Sequence, residues 1–177
     1  MRRALLILAA LLGCVQALAQ SPEDCHFLTD GETVSWQRVF QAADSCAAGV
    51  FLQNLHARKD CADVFSEVPG IISLDLRFRP VAVAEGLEYE RTWLPAYITA
   101  GDYSAHATIQ LKPDRYRVTV EGIRMVLPGF GDTRLEVFAL KRGRWAPKFT
   151  PAPADIIDTY LGGLFEGLDV ILLDDEW

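Results

Sequence analysis

The chain has 177 residues, half of them hydrophobic, with 17 Lys and Arg against 24 Asp and Glu and a formal net charge of −7. That length suits one domain with its own core. The acidic balance opposes DNA or RNA as a partner, because a nucleic-acid binder needs a positive footprint to release counterions.

Residues 1–19 read as an export signal. Arg2 and Arg3 form a positive n-region, Ala4 to Gly13 an apolar h-region, and Ala17-Leu18-Ala19 a small-x-small cleavage site before Gln20. The apolar run falls short of the roughly 20 residues that cross a bilayer. The expected mature chain is therefore periplasmic or secreted and has no transmembrane helix. It forms a single domain over 20–177, with an N-terminal arm at 20–33 and an acidic tail at 169–177. Cleavage removes two arginines and no acids, making the mature chain more acidic still. Leu11-Leu12-Gly13-Cys14 offers the minor alternative of a lipoprotein anchored at Cys14, although Leu12 stands where such boxes carry a smaller or β-branched residue.

Cys25, Cys46 and Cys61 remain after cleavage, and an oxidising compartment predicts one disulfide and one leftover thiol among them. Spacing does not separate the three pairings. A Cys46–Cys61 bridge would close a loop of about 15 residues and contribute about 3 kcal/mol in the chain-entropy account. A metal set drawn from Cys25, His26, His56 and Cys61 lacks ligand spacing, so no metal or cofactor is expected.

From Ser35 to about Leu55, Val39, Phe40, Ala43, Ala47, Val50 and Phe51 recur at helical spacing, with Ser35 as N-cap and Gly49 as a break. Ile72, Leu74, Leu76 and Phe78 alternate with polar residues as a strand ended by Pro80. Ala105 to Leu111 and Tyr116 to Val120 alternate likewise, and Lys112-Pro113-Asp114-Arg115 joins them as a turn, predicting an antiparallel hairpin. At Gly122 the apolar phase shifts to Ile123 and Met125, which predicts a bulge. A turn at Gly129 to Asp132 leads to an expected strand over Leu135 to Leu140, then a turn at Arg142-Gly143-Arg144. Pro151 and Pro153 introduce a last helix with an apolar face from Ile156 to Leu168. The predicted class is α+β: an antiparallel sheet of about four to six strands packed by an N-terminal and a C-terminal helix.

The stretch from His106 to Val120, with its basic turn and Arg115-Tyr116-Arg117, resembles a family of secreted bacterial domains of unknown function with a TATA-binding-protein-like fold. The likeness spans roughly Val34 to Met125 and is most specific over Lys112 to Arg117. It implies an envelope protein, and nothing about DNA.

Candidate functional residues fall in three groups. The 81–103 connection holds Tyr89, Trp93, Tyr97 and Tyr103, which either anchor a partner or fold onto the core. Arg77, Arg79, Arg115 and Arg117 lie on polar strand positions; together they would bind a carboxylate or phosphate, and cross-strand acids offer them ordinary ion pairs instead. Asp174, Asp175 and Glu176 form a solvated acidic tip, and a calcium site from Asp169, Asp174 and Asp175 lacks recognised loop spacing. No nucleophile, zinc or phosphate-loop motif is present, and no catalytic residue is assigned. The expected function is an exported, non-catalytic cell-envelope binding or interaction module whose partner is an envelope protein or a small acidic ligand. The alternative is a small extracytoplasmic hydrolase with a site near His106.

Overall fold

The computed structural model describes residues 22, 24–42, 47–80 and 94–170. Period-2 alternation builds its centre. In β4 (Ile71–Phe78), β5 (Asp102–Lys112) and β6 (Arg115–Leu127), Leu74, Leu76, Ala107, Ile109, Val118 and Val120 are buried on one face while their neighbours point to the other. The Pro113-Asp114 turn joins β5 to β6 with Lys112 opposite Arg115. At Gly122, which adopts φ +61°, the ladder skips between the pairs His106–Glu121 and Ser104–Arg124. The predicted bulge is there, and beyond it Ile123, Met125 and Leu127 turn inward.

Around this centre lie β1 (Phe27–Thr29), β2 (Val34–Gln41), β3 (Cys61–Val68) and β7 (Gly131–Arg134). The seven strands are antiparallel in the order β1-β2-β6-β5-β4-β3, with β7 beside β6. The sheet is thus larger than the four to six strands expected. A separate hairpin, β8 (Leu140–Lys141) with β9 (Arg144–Trp145), turns at Arg142-Gly143.

Two elements depart from the sequence expectation. Ser35 to Leu55 is not one helix: its first part is β2, paired with β6 through Trp36–Val120 and Phe40–Tyr116, and only α1 (Ala48–Ala57) is helical. The alternation of Val34, Trp36 and Phe40, all buried, outweighs the helical spacing because Val39 faces solvent. The span Leu135 to Leu140 is mainly the short helix α3 (Glu136–Ala139). Leu135 and Ala139, four residues apart, are buried while Val137 is exposed, a helical rather than a strand pattern. A further single-turn helix, α2 (Ala96–Thr99), precedes β5.

The last helix, α4 (Ala152–Phe165), starts at the prolines as expected. Ile156, Ile157, Leu161 and Phe165 are buried, and Phe165 stacks on Trp36 with centroids 6.2 Å apart. On α1, Phe51 meets the Tyr116 ring edge-on at 4.8 Å. Tyr116 Oη donates to the Phe165 carbonyl at 2.7 Å, and the buried Asn54 amide donates to the carbonyls of Leu168 and Val170, both at 2.8 Å. Arg58 donates to the carbonyls of Gly163, Leu164 and Glu166, satisfying the open end of α4. No helix among the described residues is long and apolar enough to cross a membrane.

Cys25 and Cys61 are both free thiols. Cys25 precedes β1 and Cys61 opens β3, at opposite edges of the sheet. Five strand spacings of about 4.8 Å separate those edges, far more than a disulfide spans. That pairing is excluded; Cys46, needed for the other two, lies outside the described residues. Burial pushes the Cys25 thiol up to about 12, helped by Asp158, Asp155 and Asp24. Burial also raises Cys61 to about 11, with Arg58 opposing and Asp60 reinforcing. Burial raises the Tyr97, Tyr103 and Tyr160 phenols as well. For each group the folded state holds its proton more tightly than the unfolded chain. Their contribution to stability is therefore complete below the unfolded values of 9.0 for Cys and 10.0 for Tyr, and is lost as pH rises toward the folded ones. The urea midpoint is expected to fall between about pH 8 and about pH 11; an unchanged midpoint would show that these groups are solvated.

Candidate functional site

Strand alternation gives the sheet a second face, and no described helix covers it. Its centre is a row across β2, β6, β5 and β4, in which Gln37 donates to Thr119 Oγ1 at 3.1 Å and Thr119, Thr108 and Ser73 follow in register. In the next row His106 stands between Asp75 and Glu121, and its Nδ1 lies 3.0 Å from Asp75 Oδ1. Both side chains of that pair are about half exposed, and Asp75 also lines an open depression with Arg77, Ser104 and Gly122. Among the described residues the His106 ring has no other hydrogen-bond partner.

The four arginines do share this face, but the register divides them. Arg77 pairs across to Ser104, whereas Arg117 pairs with Gln110, six residues further along β5. At about 3.4 Å per residue this separates the two pairs by about 20 Å. Arg79 makes a bidentate contact with Asp102, and Arg124, beyond the bulge, does the same with Asp132. The hydrogen bonds and charges of these pairs raise both guanidinium pKa values and lower that of the Asp132 carboxyl. With side chains about half exposed or more, the pairs set side-chain orientation more than stability.

The opposite end of the face is different. Val39, Gln110, Lys112, Arg115 and Arg117 ring a shallow depression. Arg117 donates through Nε, at 3.0 Å, and Nη2 to the amide oxygen of Gln110, a neutral acceptor that orients the guanidinium without cancelling its charge. Arg115 lies 3.8 Å from Asp114. Lys112 and Val39 were not legible as site residues. Lys112 belongs to the turn that carries the resemblance, and helical spacing puts Val39 on the apolar stripe of a helix.

The aromatic candidates divide as well. Tyr97 and Tyr103 are 5% and 2% exposed: Tyr97 stacks on Phe138, while Tyr103 stacks on Phe78 and donates to the Tyr97 carbonyl at 2.8 Å. They are core residues, not surface anchors. Tyr89 and Trp93 lie outside the described residues, as do residues 1–19 with Cys14, expected to be an export signal, and the acidic tip from 171 onward. The Cys25, His26, His56 and Cys61 set does not converge, since His26 pairs with Asp158 at 2.9 Å and His56 bonds the Leu52 carbonyl at 2.7 Å. Among the described residues no group of three or more His, Cys, Asp or Glu is placed to hold a metal ion.

No protein-family description matches the chain, and no curated protein does. Two solved structures are similar. A TBP-like protein from Parabacteroides distasonis superposes with a TM-score of 0.50 at 11% identity, covering 81% of this chain and 94% of that one. A DUF4468 family protein from Bacteroides ovatus gives 0.49 at 16% identity, covering 84% and 94%. With its antiparallel sheet, one face bearing helices and the other uncovered among the described residues, the chain shares the TBP-like fold that the resemblance at Lys112 to Arg117 implies.

Proposed function

We propose that this chain is an exported, non-catalytic binding module of the cell envelope that presents the open face of its sheet to its partner. The observation carrying this reading is the pre-ordered polar surface from Gln37 through Thr119 to Thr108, uncovered among the described residues and ending in the basic depression. A rigid strand face loses little side-chain freedom on binding, which favours its use as an interface. The export signal at 1–19 supports a periplasmic or secreted location, with anchoring at Cys14 as the lesser form.

A photo-crosslinking residue at Thr108 on the open face, compared with one at the exposed Gln53 of α1, tests the reading in envelope extract. Adducts are expected at Thr108 alone. Adducts only at Gln53, or at neither position, would refute it.

The His106–Asp75 pair supports a second reading, a hydrolase with His106 as base. It needs a nucleophile beside the ring, and Cys25 is buried within the core. Ester or amide turnover abolished by His106→Ala would establish this reading in place of the first.

A further inference from the structure

Resting on the open face as a binding surface, the basic depression carries a more specific inference about its ligand. Lys112 stands directly opposite Arg115, an arrangement of like charges that costs stability in a sheet. The chain does not lack acids, having 24. It sets Asp114 3.8 Å from Arg115 and places other acids against Arg79 and Arg124. Arg117 is instead oriented by a neutral amide, so its fork is aimed while its charge stays available.

Apolar side chains flank the depression on both sides along its own row. Val39, 52% exposed, stands opposite Arg117 on one side. On the other, the register runs from Arg117 through Gln110 and Ile71 to Val68, and Phe65 follows in the adjacent row opposite Ser73. Phe65 and Val68 are 45% and 53% exposed on the edge strand. Three strand spacings, about 14 Å, lie between Arg117 and Val68. An oxyanion at one end and a hydrocarbon at the other match this surface.

The net charge of −7 selects among sources of such a group. An extended anionic membrane meets the field of the whole acidic chain. A single head group responds to charges within a Debye length of about 8 Å, where the cations dominate. We propose that Lys112, Arg115 and Arg117 bind the oxyanion head, phosphate or carboxylate, of a monomeric amphiphile, and that its tail crosses β5 and β4 onto Val68 and Phe65.

Titration calorimetry on the mature chain, with decyl phosphate below its micelle concentration and with inorganic phosphate, tests this. Decyl phosphate is expected to bind at least about tenfold more tightly. The double variant Lys112→Glu with Arg117→Glu should weaken it by about tenfold or more. Should charge reversal unfold the chain, Lys112→Gln with Arg117→Gln gives the same reading. Phe65→Ser with Val68→Ser should bring decyl phosphate to within about threefold of inorganic phosphate by removing the apolar contact. Equal affinity for the two probes in the unaltered chain, absence of saturable binding, or binding only to vesicles of phosphatidic acid in phosphatidylcholine would each overturn the proposal. Thr108 adducts persisting in the absence of decyl phosphate binding would locate the failure in the ligand class rather than in the binding face.

Discussion

Replacing Ile109 with Asp is expected to cost more than about 4 kcal/mol, a large part of the 5–15 kcal/mol typical of a domain. Ile109 is fully buried in β5 and faces Ile72 and Val118, themselves fully buried, in the register of both neighbouring strands. The substitution removes apolar burial and introduces a carboxylate beside partners that neither donate nor carry charge. Val118→Asp tests the face less cleanly. Val118 stands opposite Arg38, whose guanidinium lies 5.1 Å from the Phe40 ring centre and against Gly162 on the helical side, so a cation is at hand. Thr108→Asp, one residue from Ile109 and on the open face, is expected to cost less than about 1 kcal/mol. Urea denaturation compares the variants, and similar midpoints would show that the two faces have been exchanged.

The elements that sequence made legible are those in which one period dominates. β4, β5 and β6 alternate over five or more residues, and the bulge at Gly122 announced itself because the apolar phase changed there and then continued. β3 carried no such signal. It lies at the edge, its ladder shifts twice, Asp63 adopts φ +48°, and Phe65 and Val68 are apolar on the solvent side. Such irregularity limits pairing with other chains and also erases the alternation from which a strand is read. From Leu135 to Leu140 every residue but Glu136 is apolar, so the span fits either period, and tertiary burial of Leu135 and Ala139 decided between them.

The candidate site was legible in residue type and not in position. Arg77, Arg115 and Arg117 occupy polar strand positions, as alternation required, and Arg79 follows directly after the end of β4. Whether they meet depends on which residues are opposite one another across three strands, and that register is set by the hairpin and bulge together. The burial of Tyr103 was available in principle: continuing the alternation of Ala105, Ala107 and Ile109 back by two residues places it inward. Gln110 appears as one polar residue among several until its oxygen is seen holding Arg117.

Trp36→Ala is expected to destabilise the protein by about 3–5 kcal/mol, the range for truncating a buried aromatic. Trp36 is fully buried in β2, stacked on Phe165, and its Nε1 donates to Asp158 Oδ1 at 2.6 Å. His26 Nδ1 reaches the same oxygen at 2.9 Å, so one α4 carboxylate fastens both β2 and the residue before β1 to the helical layer. Truncation removes the stack with Phe165, the packing against Phe40 and the shorter of the two bonds to Asp158. Trp36→Phe keeps most of the ring burial and gives up the hydrogen bond, and should cost about 1–3 kcal/mol. Val39→Asp supplies the opposite arm, because Val39 is half exposed on the other face and its replacement should cost less than about 1 kcal/mol. A helix over 35–55 predicts the reverse ranking, since Val39 belongs to its apolar stripe and Trp36 does not. Chemical denaturation of the three variants therefore reads the secondary structure of this segment directly: a near-neutral Trp36→Ala beside a disruptive Val39→Asp would remove β2 from the sheet, and with it the Val39 wall of the basic depression.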